Sequence, residues 1–213
     1  MEPQNAEDRI VTPAYLWFDA EYTSLALDNA RLLQVALLIT DARLTRLTDP
    51  TRDVNLHIRL APDIPVSPWV AENLPGLLAR CRSEDAVPLE EADRRLAQAV
   101  DGAVGPVADD VKRRPVLAGN TVHADMTLVR KFLPEFARRL HYRILDVSTL
   151  KILWNDWSTG PVFDKSNAGL IRQHLPPGIE PPPAAAHDAY ADIHASLAEL
   201  NYYRRQHRKP GGL

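Results

Sequence analysis

Cysteine is almost missing from these 213 residues, Cys81 being the only one. An intramolecular disulfide and a cysteine zinc cluster are therefore excluded, and any metal must be held by oxygen or imidazole. No run approaches the roughly 18 consecutive apolar residues that span a bilayer. The opening stretch, 1–9, is acidic and polar, where a secretory signal would be basic and then apolar. A cytoplasmic protein with no membrane partner is expected. Excess positive charge is missing too: 25 Lys+Arg stand against 28 Asp+Glu, a net charge of −3. Such a chain lacks the global field that draws long nucleic acids by counterion release, which leaves short ones open. What is present, 45% hydrophobic and 25% charged residues, excludes disorder as the dominant state and suits one domain with a real core. That domain is expected over 13–207, with flexible segments at 1–12 and 208–213.

The first third reads as strands. Ala14–Ala20 and Leu32–Thr40 are aliphatic and aromatic over strand lengths, which predicts two buried strands. Arg43–Leu47 and Asp53–Leu60 flank the turn residues Asp49 and Pro50, and Val54, Leu56, Ile58 and Leu60 alternate at period two, predicting a hairpin or meander. Helical periodicity then takes over. Ser67-Pro68 makes an N-cap and N1 pair, and a second helix starts near Pro88 with Leu89, Ala92, Leu96, Ala99 and Ala103 on one face. Pro115–Ala118 is a short strand ending at Gly119-Asn120, followed by a helix through Met126, Val129, Phe132 and Leu133. Ile144-Leu145 and Val147–Trp154 give another strand and helix. The run Pro176–Ala186, with five prolines and three alanines, is a loop. A closing helix from about Ala189 carries Ile193, Leu197, Leu200 and Tyr203 and stops near Arg204-Arg205. The order predicts an α/β domain with a mixed sheet flanked by helices.

Chemistry concentrates at the end of the first strand. Asp19 and Glu21 are two positions apart and so share one face of an extended chain. Paired carboxylates ending a buried strand are costly unless a cation lies between them, and a divalent ion does this best. Asp-x-Glu alone is common and by itself reads more readily as two solvated turn residues. Three further residues have their own plain readings: Asp125 as a helix-start carboxylate, His187 as a loop residue, Asp192 as a solvated helix residue. Together, four carboxylates and one histidine suit a two-metal site in which hard cations take the oxygens and the histidine takes a proton from attacking water.

In order and context, Asp19-x-Glu21, Asp125 and His187-x4-Asp192 resemble the DEDDh family of 3′-to-5′ exonucleases, and within it the oligoribonucleases. The resemblance rests on LWFDAEYTSL at 16–25, VALLITDARL at 35–44, VLAGNTVHAD at 116–125, LHYRILDVSTLK at 140–151 and HDAYADIHASLAELNYYR at 187–204. It implies an RNase H-like fold with a mixed five-stranded sheet, and two Mg²⁺ or Mn²⁺ ions held by Asp19, Glu21, Asp125 and Asp192. His187 would be the general base and the products 5′-mononucleotides. It further implies that Leu25 wedges between two bases. Thr121, Arg143 and Ser148 would cap the 5′ phosphate of a dinucleotide, and Tyr142 would reach the other subunit's site in a homodimer. The expected substrates are thus short 5′-phosphorylated oligonucleotides, chiefly dinucleotides. On the residues alone, Leu25 could equally be a turn leucine and Tyr142 a core or surface tyrosine.

Three positions depart from the family pattern. Ser24 replaces a glycine before the wedge leucine, Gln34 replaces a glutamate on the second strand, and Leu74 replaces a substrate-contacting histidine. Ser24 would change the backbone there if that glycine needs positive φ. Gln34 removes one charge close to the metal-bearing strand. Leu74 touches substrate preference, ribose against deoxyribose included, while leaving the metal chemistry intact. Two other readings compete with an oligoribonuclease-like enzyme: a relative acting on short DNA or longer single strands, and an inactive nucleotide-binding module on the same fold. All five motif residues being present argues against the last.

Overall fold

The computed structural model describes residues 13–182 and 187–207. The end segments expected to be flexible, 1–12 and 208–213, lie outside the described residues, as do 183–186 of the Pro/Ala run.

All nine residues of β2 (Leu32–Thr40) are buried, the mark of a strand covered on both faces. It pairs antiparallel with β1 (Tyr15–Tyr22) and with β3 (Val54–His57). On its other side β1 runs parallel to β4 (Val116–Gly119), which runs parallel to β5 (Ile144–Asp146). The five-stranded sheet has the order β3-β2-β1-β4-β5, with β1 central. Parallel neighbours need crossover connections, which here are helical.

The period of the strand divides the core into two layers. Leu16, Phe18 and Ala20 of β1 point into one layer, with Ala92 and Leu96 of α3 (Leu89–Val104), Val129 of α4 (His123–Phe132) and Phe136 of α5 (Pro134–Ala137). Trp17 points into the other, with Val147 of α6 (Val147–Trp157) and Ile193 and Leu197 of α8 (Ala189–His207). The short α7 (Ala168–His174) packs along α8 in this second layer. A small third cluster seats α1 (Pro68–Asn73) and α2 (Pro75–Cys81) on Leu33 and Leu60. Asp19 and Glu21, in phase with Trp17, belong to the α8 side. Among the described residues, no helix is long and apolar enough to cross a membrane.

The predicted mixed sheet and its flanking helices are present. Arg43–Leu47 differs from expectation: it meets β2 by a single bridge, Thr40–Arg46. Asp41 Oδ1 accepts from the N–H groups of Arg43 and Thr45, both at 2.8 Å, and Leu44 sits at φ 70°. That local turn takes up the backbone donors a strand would use. The last helix continues past Arg204-Arg205 through His207, and α2 and α7 are short helices with no strong period of their own.

Candidate active site

Gly119 ends β4 where a Cβ would lie 2.8 Å from the Phe18 carbonyl oxygen, so only glycine lets the chain close on β1 here. Directly beyond it the backbone turns through Thr121 at φ 56° and enters α4, whose first turn carries Asp125. This helix belongs to the layer opposite α8. Asp125 nevertheless reaches the end of β1, where its Oδ1 accepts from the N–H of Ala20 at 3.0 Å. From the other side, the first turn of α8 brings Asp192 up to Asp19 and Glu21. One carboxylate oxygen from each of these three lies within 4.8 Å of the others.

Negative charge accumulates there, offset only in part by Lys165, whose ammonium lies 3.8 Å from Asp192 Oδ1. Burial is the largest influence on Asp19 and, with repulsion from Asp125, Asp192 and Glu21, pushes its carboxyl well above the usual range. Glu21 is raised to about 7 by burial and then by Asp192 and Asp188. Burial raises Asp125 to about 8 against the pull of the Ala20 N–H. Asp192 is also raised by burial, with Lys165 and His187 opposing. Buried and half-buried acids that repel one another in this way fit hard divalent cations, which take several oxygen ligands at once. The donor set therefore suits the cations the sequence implied, and it points to divalent-metal dependence.

His187 stands exposed at the cleft with φ 56°, a conformation costly for a non-glycine residue. Its ring meets Trp69 edge-on, with centroids 5.1 Å apart. The segment behind it is held by Gln34, whose amide nitrogen donates to Asp188 Oδ2 at 3.1 Å and to Asn55 Oδ1 at 2.9 Å. Gln34 Oε1 accepts from the N–H of Ala189 at 3.3 Å. Asp188 Oδ1 in turn accepts from the N–H groups of Tyr190 and Ala191 and caps α8. A glutamate at position 34 could not donate to Asp188 and would face it as a like charge. The departure at Gln34 thus suits this chain's own capping residue.

The remaining expected residues divide into two groups. Leu25, 87% exposed, stands on the rim of an open cleft of about 640 Å³ that Asp19, Glu21, Thr121, His187 and Asp192 also line. Thr121 donates its N–H to Asp146 Oδ1 at 2.9 Å and to Ser148 Oγ at 3.0 Å, and the two hydroxyl oxygens are 3.2 Å apart. Ser148 is therefore directly behind the cleft. Tyr142 and Arg143 are not among the residues lining it. They precede β5, away from Asp146 at its other end, and the Arg143 guanidinium lies 5.4 Å over the Tyr142 ring. Ser24 lines the cleft without positive φ, so the serine keeps an ordinary backbone. Leu74 is buried in the third cluster, packed with Leu33 and Val70.

Sequence reasoning missed Lys165, which pairs with Asp192 at 3.8 Å, and Trp69 beside the histidine. It missed Asn120 as well, whose amide donates to the buried Glu199 at 2.9 Å. Asp146 was passed over too; it is the N-cap of α6, its side chain accepting from the N–H of Ser148 at 2.9 Å. Lys165 had no local signal, because a long irregular connection delivers it.

An exonuclease family model, RNase_T, matches residues 16–200. The chain belongs to this exonuclease family. Among similar proteins, the oligoribonuclease of Mycobacterium ulcerans (strain Agy99) is 34% identical over 191 residues, 89% of this chain and 79% of its own. That of Corynebacterium diphtheriae (strain ATCC 700971 / NCTC 13129 / Biotype gravis) is 32% identical over 209 residues, 96% and 85% respectively. The mitochondrial oligoribonuclease of Bos taurus is 31% identical over 194 residues, 89% and 71%. Similar solved structures include exonuclease I from Methylocaldum szegediense, with TM-score 0.62 and 20% identity over 92% of this chain. A zinc-bound complex of E. coli exonuclease I with single-stranded DNA gives TM-score 0.63 and 16% identity, also over 92%. This chain spans only 41% and 42% of those two, and they establish the RNase H-like fold alone. The exonuclease is a hydrolase of the 3′-to-5′ kind.

Proposed function

We propose that this exonuclease, acting through one domain over 13–207 in the cytoplasm, hydrolyses 5′-phosphorylated dinucleotides and very short oligonucleotides to 5′-mononucleotides. Asp19, Glu21, Asp125 and Asp192 would hold two Mg²⁺ or Mn²⁺ ions. The observation that carries this reading is the convergence of Asp19, Glu21 and Asp192 within 4.8 Å in a cleft that His187 also lines. Such ions, when bound, supply an acidified water and neutralise charge on the leaving 3′ oxygen.

The chain's own residues do the rest. His187, presented to solvent on the rim, takes the proton of the attacking water, and its partner Trp69 limits where the ring can swing. Leu25 offers an apolar surface against which a base can stack. The hydroxyls of Thr121 and Ser148 are close enough to each other to share one terminal phosphate, with Arg143 as the charged member of the cap. Arg143 and Tyr142 stack on each other outside their own cleft, which supports a homodimer in which Tyr142, and Arg143 with it, enters the partner's site. β5 is a three-residue strand at the sheet edge, and Tyr142, Ile152 and Trp157 nearby in sequence are exposed apolar side chains. The relatives' name supports short RNA, and a net charge of −3 supplies no field for a long strand.

The deciding assay measures kcat/KM for RNA and DNA dinucleotides and seven-residue oligonucleotides, with and without the 5′ phosphate, in Mg²⁺ and in Mn²⁺. The phosphorylated RNA dinucleotide is expected to lead. Equal values across length would refute the cap and make this a general exonuclease, and preference for the DNA dinucleotide would reassign the sugar.

A further inference from the structure

Between α6 and α7 the chain runs irregularly over 158–167, yet it is pinned at several points. Phe163 is buried, with its ring 5.5 Å from that of Tyr202 and 6.0 Å from that of His174. The Pro161 carbonyl accepts from Trp154 Nε1 at 3.0 Å and from the Tyr202 hydroxyl at 2.6 Å. Asp164 Oδ1 accepts from the N–H and the hydroxyl of Ser166, at 2.9 and 2.6 Å, closing a tight turn. Lys165 projects from that turn into the cleft. Among the described residues lining the cleft it is the one lysine or arginine.

Its ammonium pairs with Asp192 Oδ1 at 3.8 Å, too long for a hydrogen bond, and its side chain is 27% exposed. An ion pair this loose and this wet contributes little to stability. A helix and core need no such cation here, since Asp192 is on the first turn of α8, where the dipole already favours an acid. The ammonium also faces Asp19, whose charge it partly offsets. Divalent ions taken up by the same carboxylates would neutralise them and release the lysine. A freed ammonium in an otherwise acidic cleft would then find its opposite charge on the phosphodiester of the substrate. Lysine suits such an exchange, being a compact point charge on a flexible stem.

We propose that Lys165 is a phosphate-binding residue of this site: it rests against Asp192 without substrate and turns to a non-bridging oxygen of the scissile phosphodiester when substrate is bound. The assignment rests on the proposed function. Its test uses the full chain in a His187→Ala background, where turnover is slow, and compares the affinity of a 5′-phosphorylated dinucleotide with that of its methylphosphonate-linked analogue, which lacks the charged oxygen. Calorimetry with Mn²⁺ alone is run beside it.

Lys165→Met is expected to weaken the phosphodiester at least about tenfold, the scale of a lost charge-assisted hydrogen bond. The methylphosphonate should change by less than about twofold, because the interaction removed is absent from it. Mn²⁺ affinity should hold or rise, since the ion no longer competes with an ammonium. Lys165→Arg should recover part of the discrimination. Equal weakening of both dinucleotides, no weakening of either, or a loss of Mn²⁺ affinity would each overturn the assignment and leave Lys165 a structural prop of the turn. If the background protein binds neither dinucleotide, the proposed function falls and the assignment with it. If it binds both and Lys165→Met changes nothing, the assignment alone falls.

Discussion

Asp19 lies where burial and three neighbouring acids all favour its protonated form, so an acid proposed to hold the ions works against the ion-free fold once it is charged. The sign of the resulting pH dependence follows from the shifts. Glu21 is raised from 4.5 to about 7 and Asp125 from 3.8 to about 8. Between their ordinary and raised values the unfolded chain has released protons that the folded chain still holds. The contribution to stability is complete at low pH and is lost as pH rises through about 7 and 8. In EDTA the Tm is therefore expected to fall between pH 5 and pH 8, and Mg²⁺ or Mn²⁺ should restore most of it at the alkaline end. Asp19→Asn should flatten this slope and raise the ion-free Tm at pH 8, while lowering kcat by at least about a thousandfold. A slope identical to the parent's in calorimetric melts across pH would sink the account. Thr121 and His187 carry the same tension in their backbones, both at φ 56° beside the cleft, where strain commonly accompanies function.

Elements were readable in the sequence where their burial follows a period. β2 has every residue buried and announced itself as an apolar run, and α3 showed its Leu89–Ala103 stripe. The acids proposed to hold the ions were legible because they sit at strand and helix ends, and because five widely spaced segments matched one family. What could not be read depends on contacts across the chain. Asp93, a charged residue among the polar positions of α3 with no sign in the sequence of its place, is buried. Its two oxygens accept from the N–H groups of Glu135 and Phe136 at 2.9 and 2.8 Å, capping α5, whose own N-cap residue, Leu133, supplies no side-chain bond. Asp93→Ala is expected to cost about 3 kcal/mol, because it strands two buried donors. Urea denaturation checks this, and a loss below about 1 kcal/mol would mean that water or another group takes over. Leu74 illustrates the reverse. Aligned with a substrate-contacting residue, it proves to be core, and nothing in its spacing separated the two roles.

At the scale of the whole molecule, the proposed homodimer makes the sharpest demand. A Tyr142→Ala subunit and an Asp19→Asn subunit should each be impaired alone. Mixed, they should regain up to about half of the parent activity, since one site of the heterodimer then has both Asp19 and the partner's tyrosine. Absence of recovery in subunits shown to exchange would place Tyr142 in its own chain's site. The carboxylate cluster has a different reach. Asp125 comes from the layer containing α3, α4 and α5, Asp192 from the layer containing α6, α7 and α8, and they meet at the end of the central strand. Ions seated there would act as a rivet through both halves of the sandwich. Chelation should then loosen both helical layers at once, shortening the half-life against a protease as well as stopping turnover. The durability of the molecule, and so how long each copy lasts, would rise and fall with the free divalent ion around it.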